Sequence, residues 1–251
     1  MANWNDDQAT RQGFGVSPNQ GGDLTGRATT TFDAGLRKHM LSIYNYMASG
    51  VLLSGIVALL FARSGMAAQV FMGGGILPWI IILSPLAIVM AMSFGQGKFS
   101  TPTLQIMFWA FATLMGLSMS TIFLIYTGAS IAVTFFATAG AFAGLSLFGY
   151  TTQKDLSAMG TFLTMGVIGL IIAMVINMFV GSEPLGYAIS FLGVLIFAGL
   201  TAYDTQRLKA QYAYVAGTEM AGKAIILGAL SLYLDFINMF QFLLSFMGQR
   251  E

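Results

Sequence analysis

Two aspartates stand where a carboxylate is expensive. Asp235 lies in LYLDFINMF, residues 232–240, a run otherwise made of leucine, isoleucine, methionine, aromatics and one asparagine. Asp204 closes another apolar stretch in GLTAYDTQRLK, residues 199–209. Carboxylates in such surroundings face a protein interior, find a partner or hold a proton. Other chemistry is scarce. Cysteine is absent and His39 is the single histidine, which excludes disulfides, thiolate metal sites, a cysteine nucleophile and a His-rich centre. No residue is assigned a catalytic role, no enzyme activity is expected, and no resident cofactor is implied.

The remaining acids have ordinary explanations. Asp6, Asp7, Asp23 and Asp33 lie near the N-terminus, Glu251 is terminal, and Glu183 and Glu219 fall in expected loops. Asp155, in QKDLSAMG, precedes an apolar stretch, where a carboxylate accepts from free backbone N–H groups. Asp204 itself could be a solvated helix-end carboxylate near Arg207. Asp235 has no such reading. It lies about 12 residues into its stretch, about 18 Å deep if the helix starts at Lys223. Facing lipid as an ion it would cost a few kcal/mol or more, so it is expected to face the bundle interior.

The elements that position these acids follow from composition. The chain of 251 residues is 56% hydrophobic and 8% charged, with mean hydropathy +0.76. A soluble domain carries about a quarter charged residues. Here lipid is the expected solvent, and a net charge of +1 offers no field for nucleic acid. Residues 1–39 are rich in Gly, Asn, Gln, Asp and Thr, lack the apolar core of a signal peptide, and are expected to form a disordered cytoplasmic tail. Asp33 is a plausible cap for the helix that follows. The seven-helix transmembrane domain is expected over residues 40–251.

Seven apolar stretches are long enough to span a bilayer, about 17–25 residues each. They cover 41–61, 75–94, 104–126, 130–148, 159–180, 187–203 and 224–247, the sixth being the shortest. Basic residues set the orientation. With the N-terminus inside, Arg11, Arg27, Arg37, Lys38, Lys98, Lys154, Arg207, Lys209 and Lys223 fall on the cytoplasmic side, and Arg63 and Arg250 outside. The expected topology is N-in, C-out. GAFAG places Gly140 and Gly144 four apart, and GVIG adds Gly166 and Gly169, spacings that suit close helix approach. The 17 methionines read as apolar filling.

Spacing alone does not decide whether the two aspartates meet, which requires the sixth helix to be set deep or the seventh to project into the cytoplasm before entering the membrane. Rise arithmetic puts Asp235 deeper than Asp204 by about 10 Å or more.

The residues ALSLYLDFINMF (229–240) and AYDTQ (202–206), with QKDLS (153–157) and INMF (176–179), resemble the Bax inhibitor-1 family of seven-helix membrane proteins. The resemblance covers the seven spans and not the tail. It implies an all-α bundle with the seventh helix central, and in bacterial members a pH-sensitive calcium leak whose sensor is a pair of aspartates. Those match Asp204 and Asp235, which the resemblance implies do meet and serve as the pH sensor and calcium site. Two carboxyls at hydrogen-bond distance resist double ionisation and titrate as a unit, so protons and calcium would compete for the same oxygens. Tyr203 and Asn238 are the nearby polar candidates. Some family members carry a second-helix arginine that pairs with the sixth-helix aspartate. Here that region reads AMSFGQGKFS, with Gln96 near the corresponding place and Lys98 the nearest cation.

Three function classes follow. The first is a pH-gated calcium leak in a bacterial inner membrane. The second is an interaction protein regulating a membrane-bound protease or other membrane proteins, with the tail as handle. The third, an intramembrane aspartyl hydrolase, is set aside because YDTQ and YLDF lack a glycine after the aspartate.

Overall fold

The computed structural model describes residues 20–250, with side chains from Asp33 onward. Nine helices form among them: α1 (Gln20–Arg63), α2 (Met66–Met72), α3 (Leu77–Gly95), α4 (Thr101–Met119), α5 (Ile122–Ile125), α6 (Gly128–Thr151), α7 (Ser157–Val180), α8 (Glu183–Val215) and α9 (Met220–Met247). Seven spans are long and apolar enough to cross a membrane, α4 and α5 together making the third. The protein is a seven-helix membrane bundle.

Enclosure differs sharply between spans. In the most apolar window of α9, 56% of residues are buried, against 39% in α8 and 11% in both α3 and α7. α9 packs on α1, α4, α6 and α8, whereas α3 leans chiefly on α4, and α7 on α8. Tyr233 anchors the interior of α9. It lies edge-on to Phe108 and Phe111 and shares a 2.6 Å hydrogen bond with Ser54 of α1. Large side chains of α3 and α7, such as Phe94, Phe162 and Phe179, stay exposed as a lipid-facing surface requires.

Three expectations change. The helical chain begins well before residue 40: α1 starts at Gln20, and Leu36, His39 and Met40 are buried. Leu36, Met40, Ile43 and Met47 recur at helical spacing and form one packed stripe, which polar composition alone conceals. Residues 1–19 of the expected tail lie outside the described residues. The sixth span is not the shortest but, at 33 residues, longer than any of the other six. Asp204, Gln206, Arg207 and Lys209 interrupt the apolar run without ending the helix, because Leu208 and Val215 still bury on its inner face.

The third change concerns glycine. Gly140, Gly144 and Gly169 face open space, so GAFAG brings no helix close, whereas Gly166 of GVIG does meet Ile196 of α8. The close approaches occur elsewhere. A Cβ at Gly149 would fall on the Ala202 backbone, and one at Gly116 would lie 2.6 Å from the Ser54 carbonyl oxygen. Gly149 thus lets the α6 backbone touch α8 two residues before Asp204.

Candidate functional site

α8 and α9 are antiparallel neighbours joined by residues 216–219, where Gly217 takes the left-handed conformation (φ 73°) that a tight reversal requires. Levels along the pair follow from that turn. Asp204 lies eleven residues before Val215, and Ser231 eleven residues after Met220, so each is about 16 Å from the turn. Asp235 lies one helical turn deeper.

Geometry follows register. The Ser231 hydroxyl donates to Asp204 Oδ2. Arg207 Nη2 lies 3.3 Å from Asp204 Oδ1 and donates to Ser231 Oγ at 3.2 Å, closing a triangle across the two helices. The guanidinium also sits 5.7 Å from the Tyr203 ring centroid. Asp204 is 7% exposed and Asp235 is 5% exposed. Asp235 Oδ2 is buried without a hydrogen-bond partner. Among the described residues no hydrogen bond joins the two carboxyls directly. The direct pair expected from the resemblance is replaced here by Asp204–Ser231, because α9 reaches the level of Asp204 one turn before Asp235.

An ionised carboxylate with one buried, unpaired oxygen carries a desolvation cost of several kcal/mol. A proton or a cation at Asp235 removes it. Among the described residues no group of three or more His, Cys, Asp or Glu side chains gathers. A calcium ion passing here would therefore complete its six to eight oxygens, roughly, from hydroxyls, carbonyls and water.

The supporting residues divide. A cavity of about 690 Å³ opens between α3, α8 and α9, and Ser93, Gln96, Arg207, Gln211, Ser231 and Leu234 are among its lining. Gln96 and Arg207 thus line one cavity, while Lys98 is exposed and outside the lining. The cation beside Asp204 is Arg207, one turn along the same helix. Asn238 bonds back to the Leu234 carbonyl at 2.8 Å and reaches neither carboxylate. Arg207 and Ser231 are the wall between the cavity and the aspartates.

Two positioning residues escaped sequence reading. Ser231 could have been found by counting from the turn, had α8 been continued to Val215. Gln206 clamps the α6–α7 connection to α8. Its Oε1 accepts from Leu156 N at 2.9 Å and its Nε2 donates to the Lys154 carbonyl at 2.8 Å. AYDTQ and QKDLS are thereby one structural unit. Lys209 adds a 2.8 Å bond to the Tyr150 carbonyl at the end of α6. Asp155 stands one residue before the N-cap Leu156, and its Oδ1 accepts from Ser157 N, the first helical residue of α7, at 2.9 Å, as expected of a carboxylate just before a helix. The Ser157 hydroxyl and N–H hold its carboxyl below the ordinary carboxylate range.

A family model described as "Inhibitor of apoptosis-promoting Bax1" matches residues 36–251. The match begins at Leu36, the first buried residue of α1 among those described. An uncharacterized protein of Caulobacter vibrioides is 48% identical over 88% of this chain and 92% of its own. An uncharacterized protein of Rickettsia prowazekii is 44% identical over 91% and 99%. The inner membrane protein YbhL of Escherichia coli is 42% identical over 87% and 94%.

Proposed function

We propose that this chain, which belongs to the Bax inhibitor-1 family, is a pH-sensitive calcium leak of a bacterial inner membrane, with Asp204 and Asp235 as its sensor. One observation carries the reading: a buried carboxylate with an orphaned oxygen stands one turn behind a second carboxylate held by Ser231 and Arg207. The first acid is tied, and the second is short of a partner. Protons and calcium supply the same need at Asp235, so they compete for it. Acidification should then raise the calcium concentration required for half-maximal flux.

The inner-membrane assignment is supported by the name of the Escherichia coli relative and by the seven spans. The bias of nine basic residues to two supports an N-terminus in the cytoplasm. Cysteines at Thr218 and Gln249, both exposed, should react with impermeant thiol reagents from opposite faces, Thr218 from the cytoplasm. Labelling of both from one face overturns the topology.

The function is tested with purified protein in liposomes holding a calcium dye, scanned against pH. Wild type should admit calcium with a pH-dependent rate, and Asp204→Asn with Asp235→Asn together should remove the dependence. Asp155→Asn, on an exposed cap, should leave it intact. A wild-type pH profile in the double variant overturns the sensor, and no flux at any pH overturns the leak.

A further inference from the structure

A second cavity, about 510 Å³, runs between α1 and α6 on the flank away from α3. Met40, Met47 and Phe142 make its buried floor, and Leu41, Ala48, Ala143 and Leu147 its exposed rim. The rim residues are small or aliphatic and face the lipid. In the floor, the Tyr44 and Ser146 hydroxyls satisfy each other at 2.6 Å, so the wall presents few free polar groups. Arg37 and Tyr150 stand at one end.

Length and charge identify an occupant. Arg37 and Ala48 are eleven residues apart on α1, about 16 Å along the axis. One leaflet of a hydrocarbon core about 30 Å thick has nearly that depth. Arg37 is exposed and has no ion-pair or hydrogen-bond partner among the described residues. A second cation is close: Lys209 Nζ lies 4.9 Å from the Tyr150 ring centroid. A polar solute would find an almost wholly apolar lining, and the volume is too small for another helix. We infer that this cleft binds a phospholipid with an anionic headgroup, its phosphate on Arg37 and one acyl chain laid along Tyr44, Met47 and Phe142. The site touches the functional centre through one chain of hydroxyls. Ser146, which bonds Tyr44, also bonds Thr205 at 2.9 Å, next to Asp204.

The full chain, purified in nonionic detergent, would be titrated with phosphatidylglycerol and with phosphatidylcholine and read by native mass spectrometry. Wild type should retain phosphatidylglycerol preferentially. Arg37→Gln should weaken that retention about five- to tenfold, the loss of one interfacial cation, and weaken phosphatidylcholine less, because its choline already offsets the phosphate charge. Ala143→Trp, which fills the cleft, should abolish retention of both, while Arg63→Gln at the far end of α1 should change neither. If Ala143→Trp does not fold, wild type is cross-linked with phosphatidylglycerol carrying a photoreactive acyl chain. Label on residues 40–48 and 142–147 supports the site. Equal retention of the two lipids by wild type, unchanged retention in Arg37→Gln, or label elsewhere overturns it.

Discussion

Asp204 is held by two contacts of unequal strength. Ser231 gives it a charge-assisted hydrogen bond inside the bundle, a class worth about 1.5–3 kcal/mol. Arg207 is half exposed, and ion pairs of that kind contribute about 0–1 kcal/mol. The hydroxyl therefore outweighs the guanidinium. Ser231→Ala should lower the melting temperature in detergent more than Arg207→Gln does and, under the function proposed above, should also raise calcium leak at neutral pH more. The reverse order would make the arginine the principal tie. Asp155 illustrates the opposite case, a carboxylate at the surface. Its folded-state pKa lies below the ordinary value, so its stabilising effect is complete above about pH 4 and fades as pH falls further, through the folded value. The melting difference between wild type and Asp155→Asn should shrink below that pH, and a constant difference would deny the cap. Both aspartates and the cap were legible as residues, because a carboxylate in an apolar run stands out. Ser231 was not, since a serine in a membrane helix is unremarkable until its level relative to Asp204 is known.

At the scale of elements, the informative error concerns α8. Hydropathy ends the span at Tyr203, but the helix runs on to Val215 with an amphipathic face. A helix of 33 residues is about 50 Å long and exceeds a hydrocarbon core of about 30 Å. That extension lowers Asp204 into the bundle, beside Ser231, and exposes the Gln206 and Lys209 clamps to the α6–α7 connection. Apolar content locates a span; it does not say where a helix stops. The glycine spacings were misleading for a related reason. GxxxG places two glycines on one face without saying which face, and here it is the lipid side. Substitution separates the cases. Gly149→Val must push α6 off the Ala202 backbone and should cost about 1–3 kcal/mol of stability, seen as a large drop in melting temperature. Gly144→Val points into open space and should be nearly silent. Equal effects would show that α6 faces α8 differently.

Across the whole molecule, the seven-span count was legible because each crossing needs its own apolar stretch of about 20 residues; the arrangement of cavities was not, because it arises from packing between distant segments. Two cavities enter the seam between α3 and α9 from opposite ends. The larger one reaches Val89 and Leu234, and the other, about 330 Å³, begins at Ile82 and Gln241. On each helix the gap is seven residues, about 10 Å. Leu234, Asn238 and Gln241 share one face of α9 at helical spacing, so Asn238 stands midway along the barrier. Its Nδ2 donates to the Leu234 carbonyl on its own helix, and neither cavity includes it in its lining. Asp235 lies just beside this face. If calcium crosses along the seam, enlarging residue 238 should block it without touching the sensor. Asn238→Phe, reconstituted and checked for folding by its melting curve, should lower calcium flux several-fold at every pH while the pH midpoint stays where it is in wild type. Flux equal to wild type would remove the seam as the path, and a shifted midpoint would mean that Asn238 acts on the aspartates instead.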